Sequence, residues 1–184
     1  MPNPFGTSTA APTQRRRGSR EFQRSPLPGK RFDSVLTALL LPGNGYPPPL
    51  RCYPLLLNVG HDLNGRATRY GPAGHTLRDV GPCPPWPELA PLFGAAPGIA
   101  SPHFVLVFIL ADEPLIAKYG TRGGRYGLIE TGAAVRSVLL RLAAERMSGH
   151  LLGGTADQPM LDLLGLARLE VRLAAVLAGG LPSP

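Results

Sequence analysis

The apolar positions of this chain change period along its length, and each period predicts an element. Phe32, Val35, Leu36, Leu39 and Leu40 recur at i, i+3, i+4, i+7 and i+8, which is one face of a short helix. Asp33 or Ser34 offers its N-cap and Pro42-Gly43 its stop. Four prolines make 44–54 a dense loop, and Leu55–Val59 then reads as a short strand. Ala67–Tyr70 and His75–Val80 flank Gly71-Pro72-Ala73-Gly74, a hairpin pattern. The stretch 80–102 is again rich in proline, with a helical turn or two at Pro87–Phe93. Phe104–Leu110 has no polar face and is rich in branched and aromatic residues, so it predicts a strand buried on both sides.

The clearest helix runs from about Leu128 to Met147, with Leu128, Val135, Val138, Leu139 and Leu142 on one stripe. Gly149 ends it, and Gly153-Gly154 follow in a loop. A further helix is expected from Pro159, placed at a first helical position, to Leu164. A strand at Val171–Leu177 ends in Gly179-Gly180. Hairpin-like pieces early and alternating strands and helices late predict an α+β fold, a mixed central sheet flanked by helices.

Composition narrows the class. The chain has 184 residues, with 23 Gly and 22 Pro, yet its aliphatic content suffices for one packed core. The expectation is a flexible arm over 1–14 and a single domain over 15–184. The longest apolar run, Phe104–Ala111, falls far short of the roughly 20 residues of a membrane span. Met1–Ala11 is polar and carries no leader pattern, so a soluble, cytoplasmic protein is expected. Cys52 and Cys83 form no metal or disulfide framework, and His61, His75, His103 and His150 sit in four separate segments. No metal site is therefore expected, and His103, beside a buried strand, reads as a hydrogen-bonded structural residue. The net charge is +7, but Arg15, Arg16, Arg17, Arg20, Arg24, Lys30 and Arg31 supply nearly all of it. With only Phe22 and Phe32 among them, this is a local segment and not a nucleic-acid surface. Such a cluster can hold a cofactor phosphate, guide an acidic peptide, or stay solvated.

No nucleophile elbow, Walker loop or zinc-protease helix is present. The strongest signal is Lys118-Tyr119-Gly120-Thr121-Arg122-Gly123-Gly124-Arg125-Tyr126-Gly127-Leu128-Ile129-Glu130-Thr131-Gly132. It resembles the KYG-x-R-x-x-R-Y-x-L-x-E-x-G segment of the SagB-type branch of the nitroreductase family. In order along the chain, Arg16–Phe22 is similar to that family's opening motif and Pro48–Pro54 to its second. Leu63–Val80 resembles its hairpin, Val138–Leu142 the helix behind the flavin, and Gly153-Gly154 its glycine loop. Leu161–Leu166 resembles the following helix and Val171–Pro182 the last core strand.

The resemblance implies an intertwined homodimer carrying FMN, and a reaction in which a thiazoline or oxazoline ring of a modified peptide becomes an azole. It implies a peptide substrate and a cyclodehydratase-type partner, with neither nucleic acid nor membrane. Lys118 and Tyr119 take the place of the catalytic pair. Arg16, Ser19, Arg20, Ser137, Gly153 and Gly154 take cofactor-binding places. The residue types suit the chemistry: aromatisation removes a proton from one ring carbon and a hydride from its neighbour, so the protein supplies a base and the flavin the hydride acceptor. A neighbouring ammonium lowers a phenol's pKa and burial lowers an amine's, so either Tyr119 is the base tuned by Lys118, or the reverse. Gly18 stands where the family has serine, Pro49 and Leu50 replace small polar residues, and Arg136-Ser137 replaces Gln-Asn. The family's basic tail has no counterpart before Pro184. These departures support a second expectation, a flavin-free scaffold subunit of a biosynthetic complex. A third is an oxidase acting on another small heterocycle or a quinone.

Overall fold

The computed structural model of the chain describes residues 18–39, 49–94, 98–167 and 171–184. Its centre is β6, Phe104–Leu110, of which every residue is buried. Side chains alternate across a strand, and β6 uses both faces. Val105, Val107 and Ile109 join one apolar cluster, which includes Trp86 and Leu89 of α2 (Trp86–Leu89) and Met160 and Leu161 of α5 (Asp157–Leu163). Phe104, Leu106 and Phe108 join the other. There they meet Phe32, Val35 and Leu36 of α1 (Gly29–Leu36) and Ala134, Val135, Val138 and Leu142 of α4 (Gly123–Ala144). Each large side chain so buried contributes about 1.5–3 kcal/mol.

Around β6 the main sheet has the order β5-β4-β2-β6-β8-β7. Its strands are β2 (Leu50–Leu56), β4 (Arg66–Gly71), β5 (Thr76–Pro82), β7 (Ser148–Leu152) and β8 (Arg172–Gly180). Every neighbouring pair in it is antiparallel. The parallel component of the fold is the short pair β1 (Leu27–Pro28) and β3 (Val59–Gly60). Helices cover both faces of the main sheet, as the α+β reading expected. Among the described residues, no helix is long and apolar enough to cross a membrane.

Several boundaries differ from the periodicity. Helix α1 starts at Gly29, not after Asp33 or Ser34, because the chain turns into it directly from β1 with Pro28 as N-cap. A Cβ on Gly29 would lie 2.5 Å from the Gly60 carbonyl oxygen, so only glycine permits that turn beside β3. Ser34, inside the helix, donates to Glu145 Oε1 at 2.7 Å. The expected stop at Pro42-Gly43 lies outside the described residues. Strand β2 begins at Leu50, within the supposed proline loop, and pairs in unbroken register with β6 from Leu50↔Leu110 to Leu56↔Phe104. Pro54 sits inside it, its carbonyl accepting from the Thr68 hydroxyl at 2.8 Å.

The hairpin forms as predicted, with Pro72–Gly74 as a single turn between β4 and β5. The long helix starts earlier, at Gly123, and gives way to β7 after Arg146 adopts a left-handed φ of 54°. Gly149, expected to end that helix, lies within β7, where a Cβ would sit 2.6 Å from Leu142 Cδ1. Helix α5 begins at Asp157, leaving Pro159 in the first turn, where a missing N–H costs nothing. Strand β8 runs on through Gly179 and Gly180.

A Cβ on Gly179 would approach the Phe104 ring to 2.6 Å, so the ring packs on bare backbone. Gly179→Ala is expected to cost about 1–3 kcal/mol through overpacking. Gly81→Ala, which meets nothing within 4 Å, should stay within about 0.5 kcal/mol. Urea unfolding midpoints of the two variants check this.

Candidate functional site

Helix α3 (Glu113–Tyr119) leaves the end of β6 and meets the start of α4 through one tight turn, Gly120–Arg122. Gly120 caps α3 with a φ of 61°, a conformation glycine adopts without strain. Two contacts fix the elbow. A Cβ on Gly123 would lie 2.5 Å from the Leu115 carbonyl carbon and oxygen, so the two helix backbones touch there. Arg172, at the start of β8, donates through Nη2 to Asp112 Oδ1 at 3.0 Å and to Gly124 O at 3.1 Å. Its Nε lies 2.8 Å from Asp112 Oδ2. One guanidinium thus ties the head of α3 to the first turn of α4.

Lys118 and Tyr119 occupy the last turn of α3, not a surface loop. The Lys118 Nζ lies 5.0 Å from the centre of the Tyr119 ring, within the range of a cation–π contact. Tyr119 also meets Tyr126 of α4, with centroids 5.1 Å apart and planes at 72°. Both tyrosines stay open to solvent, at 43% and 39%. Together with Ile129 and Glu130 they line a cleft of about 290 Å³. The Tyr119 phenol therefore borders an accessible recess while the Lys118 amine stands near its ring.

The residues expected to hold a cofactor fall elsewhere. Arg16 lies outside the described residues. Gly18, Ser19 and Arg20 run beside β7: a Cβ on Gly18 would lie 2.8 Å from Gly149 O, and the Ser19 N–H donates to Ser148 Oγ at 2.6 Å. The Ser19 hydroxyl donates to Glu21 O at 2.7 Å. Arg20 is exposed. Gly153 and Gly154 follow β7 directly, and a Cβ on Gly153 would meet nothing within 4 Å. Ser137 lies on the stripe of α4 that carries Tyr126, Glu130 and Ala133, and its hydroxyl donates to Ala133 O at 3.0 Å. Thus Lys118 and Tyr119 come together at the elbow, Ser19, Arg20 and the two glycines gather around β7, and Ser137 stands apart along α4. Arg136 is exposed and Leu50 half-buried at the start of β2.

The donor set can be tested against a flavin phosphate. Such a group needs cationic and N–H donors; among the expected residues described, Arg20 carries an exposed guanidinium and Gly153 has open space on its Cα. The hydroxyls of Ser19 and Ser137 are spent on backbone carbonyls of their own segments. Arg20 is the candidate cation near the start of β7, and Gly153-Gly154 follow its other end.

Sequence reasoning gave no role to Tyr126, Ile129, Glu130 or Arg172. The first three were legible as an i, i+3, i+4 cluster on α4. Arg172 gave no signal, since its partners lie 60 and 48 residues away.

Burial controls the remaining titrating groups. It pushes the Cys52 thiol far above its ordinary value and the Cys83 thiol up to about 11, so neither is a ready nucleophile. It also raises the Tyr70 phenol, with Cys52 adding to the effect. Burial lowers His150, and the charge of Arg20 lowers it further. His103, fully buried, has its Nε2 2.9 Å from Ser25 O. Burial pulls it below the usual histidine value of 6.5, the Ser25 contact opposing.

No protein-family model matches the chain, and no curated protein matches it. Solved structures do. A chain of the E. coli microcin synthetase McbBCD complex with truncated pro-MccB17 bound superimposes with a TM-score of 0.80 at 20% identity, over 100% of this chain and 76% of that one. A protein from Ralstonia eutropha described as a nitroreductase gives 0.78 at 16% identity, over 100% and 87%. Another so described, from Desulfovibrio desulfuricans and in complex with FMN, gives 0.65 at 17% identity, over 98% and 89%. The chain has the nitroreductase fold. The main-sheet order and the paired helices α3 and α4 are its version of that architecture.

His103 and His150 both have folded-state pKa values below the unfolded one, so the unfolded chain binds more protons as pH falls. Stability is expected to be full above about pH 6.5 and to decline as pH drops below it. His103→Gln should flatten that acid limb in urea midpoints measured from pH 7.5 to 5.

Proposed function

We propose that this chain is an FMN-dependent oxidoreductase that oxidises azoline rings of a modified peptide to azoles in natural-product biosynthesis. The observation that carries the reading is the Lys118–Tyr119 pair, an amine 5.0 Å from a phenol ring at the lip of an open cleft. Solved structures support it from two sides: one chain of this fold belongs to a microcin synthetase complex with truncated pro-MccB17 bound, and another is in complex with FMN.

In this reading Tyr119 and Lys118 share the work of taking the ring proton, one as base and the other as its electrostatic partner. Bound FMN supplies the hydride acceptor and dioxygen the terminal oxidant, which balances the two electrons and the proton lost by the ring. Arg20, with Arg16 and the backbone of Gly153 and Gly154, holds the phosphate. Ser19 and Ser137 serve mainly as local structure. The functional unit is a homodimer in the cytoplasm, residues 15–184 acting as one domain, with a cyclodehydratase-type partner delivering the azoline.

A specific observation favours a second reading. The Ser19 and Ser137 hydroxyls are committed within the chain, which thins the flavin donors and suits a flavin-free scaffold subunit of the same kind of complex.

The two readings separate on colour. The enzyme reading expects a yellow purified protein that releases FMN on boiling; a colourless protein that fails to bind added FMN refutes it. Lys118→Ala and Tyr119→Phe are each expected to lower turnover of a synthetic thiazoline peptide by about 100-fold or more, with flavin content unchanged. Mass spectrometry of the azole product reads the outcome.

A further inference from the structure

We infer that Tyr126 is the positioning residue that sets the orientation of the Tyr119 phenol, an inference that rests on the reading of Lys118 and Tyr119 as the proton-abstracting pair. Tyr119 hangs from the final turn of a short helix and is 43% exposed. A ring in that position is expected to sample several rotamers unless something holds it. The Lys118 ammonium lies 5.0 Å from its centre, and the Tyr126 ring meets it at 5.1 Å and 72°. Tyr126 comes from a different helix, so its contact ties the phenol to the body of the protein.

Tyr126 stands on the outward side of its helix. At 39% exposure it is not a core residue, while its neighbour in sequence, Gly127, is the buried one. A Cβ on Gly127 would strike Leu110 Cδ2 at 2.6 Å, so this turn of α4 presses onto the end of β6 and presents Tyr126 outward. The elbow contacts at Gly123 and Arg172 hold the two helices in the relation that makes the rings meet. An edge-to-face pair of this kind favours the paired geometry about two- to tenfold. Misplacing a base by about 1 Å costs up to about a hundredfold in rate.

The role belongs to the ring and not to the Tyr126 hydroxyl, and that distinction gives the test. In the full-length protein, Tyr126→Leu and Tyr126→Phe are compared by three measurements. These are kcat and KM on a synthetic thiazoline peptide, rotamer order of the Tyr119 ring by NMR of carbon-13-labelled tyrosine with and without FMN, and the mass of the assembly by light scattering. Tyr126→Leu is expected to lower kcat about tenfold with KM within about twofold, and to release the Tyr119 ring into several rotamers. Tyr126→Phe is expected to restore both. Flavin content and assembly mass should be the same in all three proteins. A Phe variant as slow as the Leu variant overturns the proposal, because the hydroxyl would then be the active part. So does a Tyr119 ring that stays ordered in the Leu variant, or a Leu variant that changes the assembly mass. If the wild-type protein neither binds FMN nor turns over the peptide, the enzyme reading fails by itself. The NMR comparison then still decides whether Tyr126 orients Tyr119.

Discussion

The double-sided burial of β6 is the constraint on which the rest of this structure depends. A strand with no polar face must be covered twice, and Phe104–Leu110 is covered by α2 and α5 on one side and by α1 and α4 on the other. Its neighbours are then fixed by register, β2 along one edge and β8 along the other. The ladder places the start of α3 beside Arg172, because Leu110, the last residue of β6, pairs with Arg172, the first of β8. The elbow that carries Lys118 and Tyr119 is therefore a direct extension of the central strand, not an appendage on a loop.

The fold was legible where one element's pattern was enough. The uninterrupted apolar run of β6, the glycine–proline turn of the hairpin and the stripe of α4 all announced themselves. Errors arose where tertiary contact overruled local chemistry. The segment 50–54, read as loop, became strand because β6 offered an unbroken partner, and Gly149 entered β7 because Leu142 and Leu139 occupy the space a side chain would need. Asp33 and Ser34 look like helix caps in isolation, yet the turn at Pro28-Gly29 had already started the helix.

The candidate site divides in the same way. Adjacent residues such as Lys118 and Tyr119 stay together in any fold, and their pairing was readable from the string that contains them. The groups read as a cofactor cradle come from three distant segments, and their hydroxyls answer to nearer partners: Ser19 turns to Glu21 and Ser137 to Ala133. Short polar side chains habitually bond to backbone close by, so a serine at the right place in a motif is weaker support for ligand binding than an exposed arginine such as Arg20. Identities of 16–20% to the solved structures are consistent with this division: architecture persists at that distance while individual donors drift.

The meeting of backbones at Gly123 and Leu115 has one more consequence. With 2.5 Å between a would-be Cβ and the opposing carbonyl, α3 and α4 approach as closely as they do only because position 123 has no side chain. A side chain at position 123 would force the two helices apart and separate the rings that meet across them. The glycine at 123 is thus as much a part of the arrangement as the three side chains, Lys118, Tyr119 and Tyr126, that it brings together.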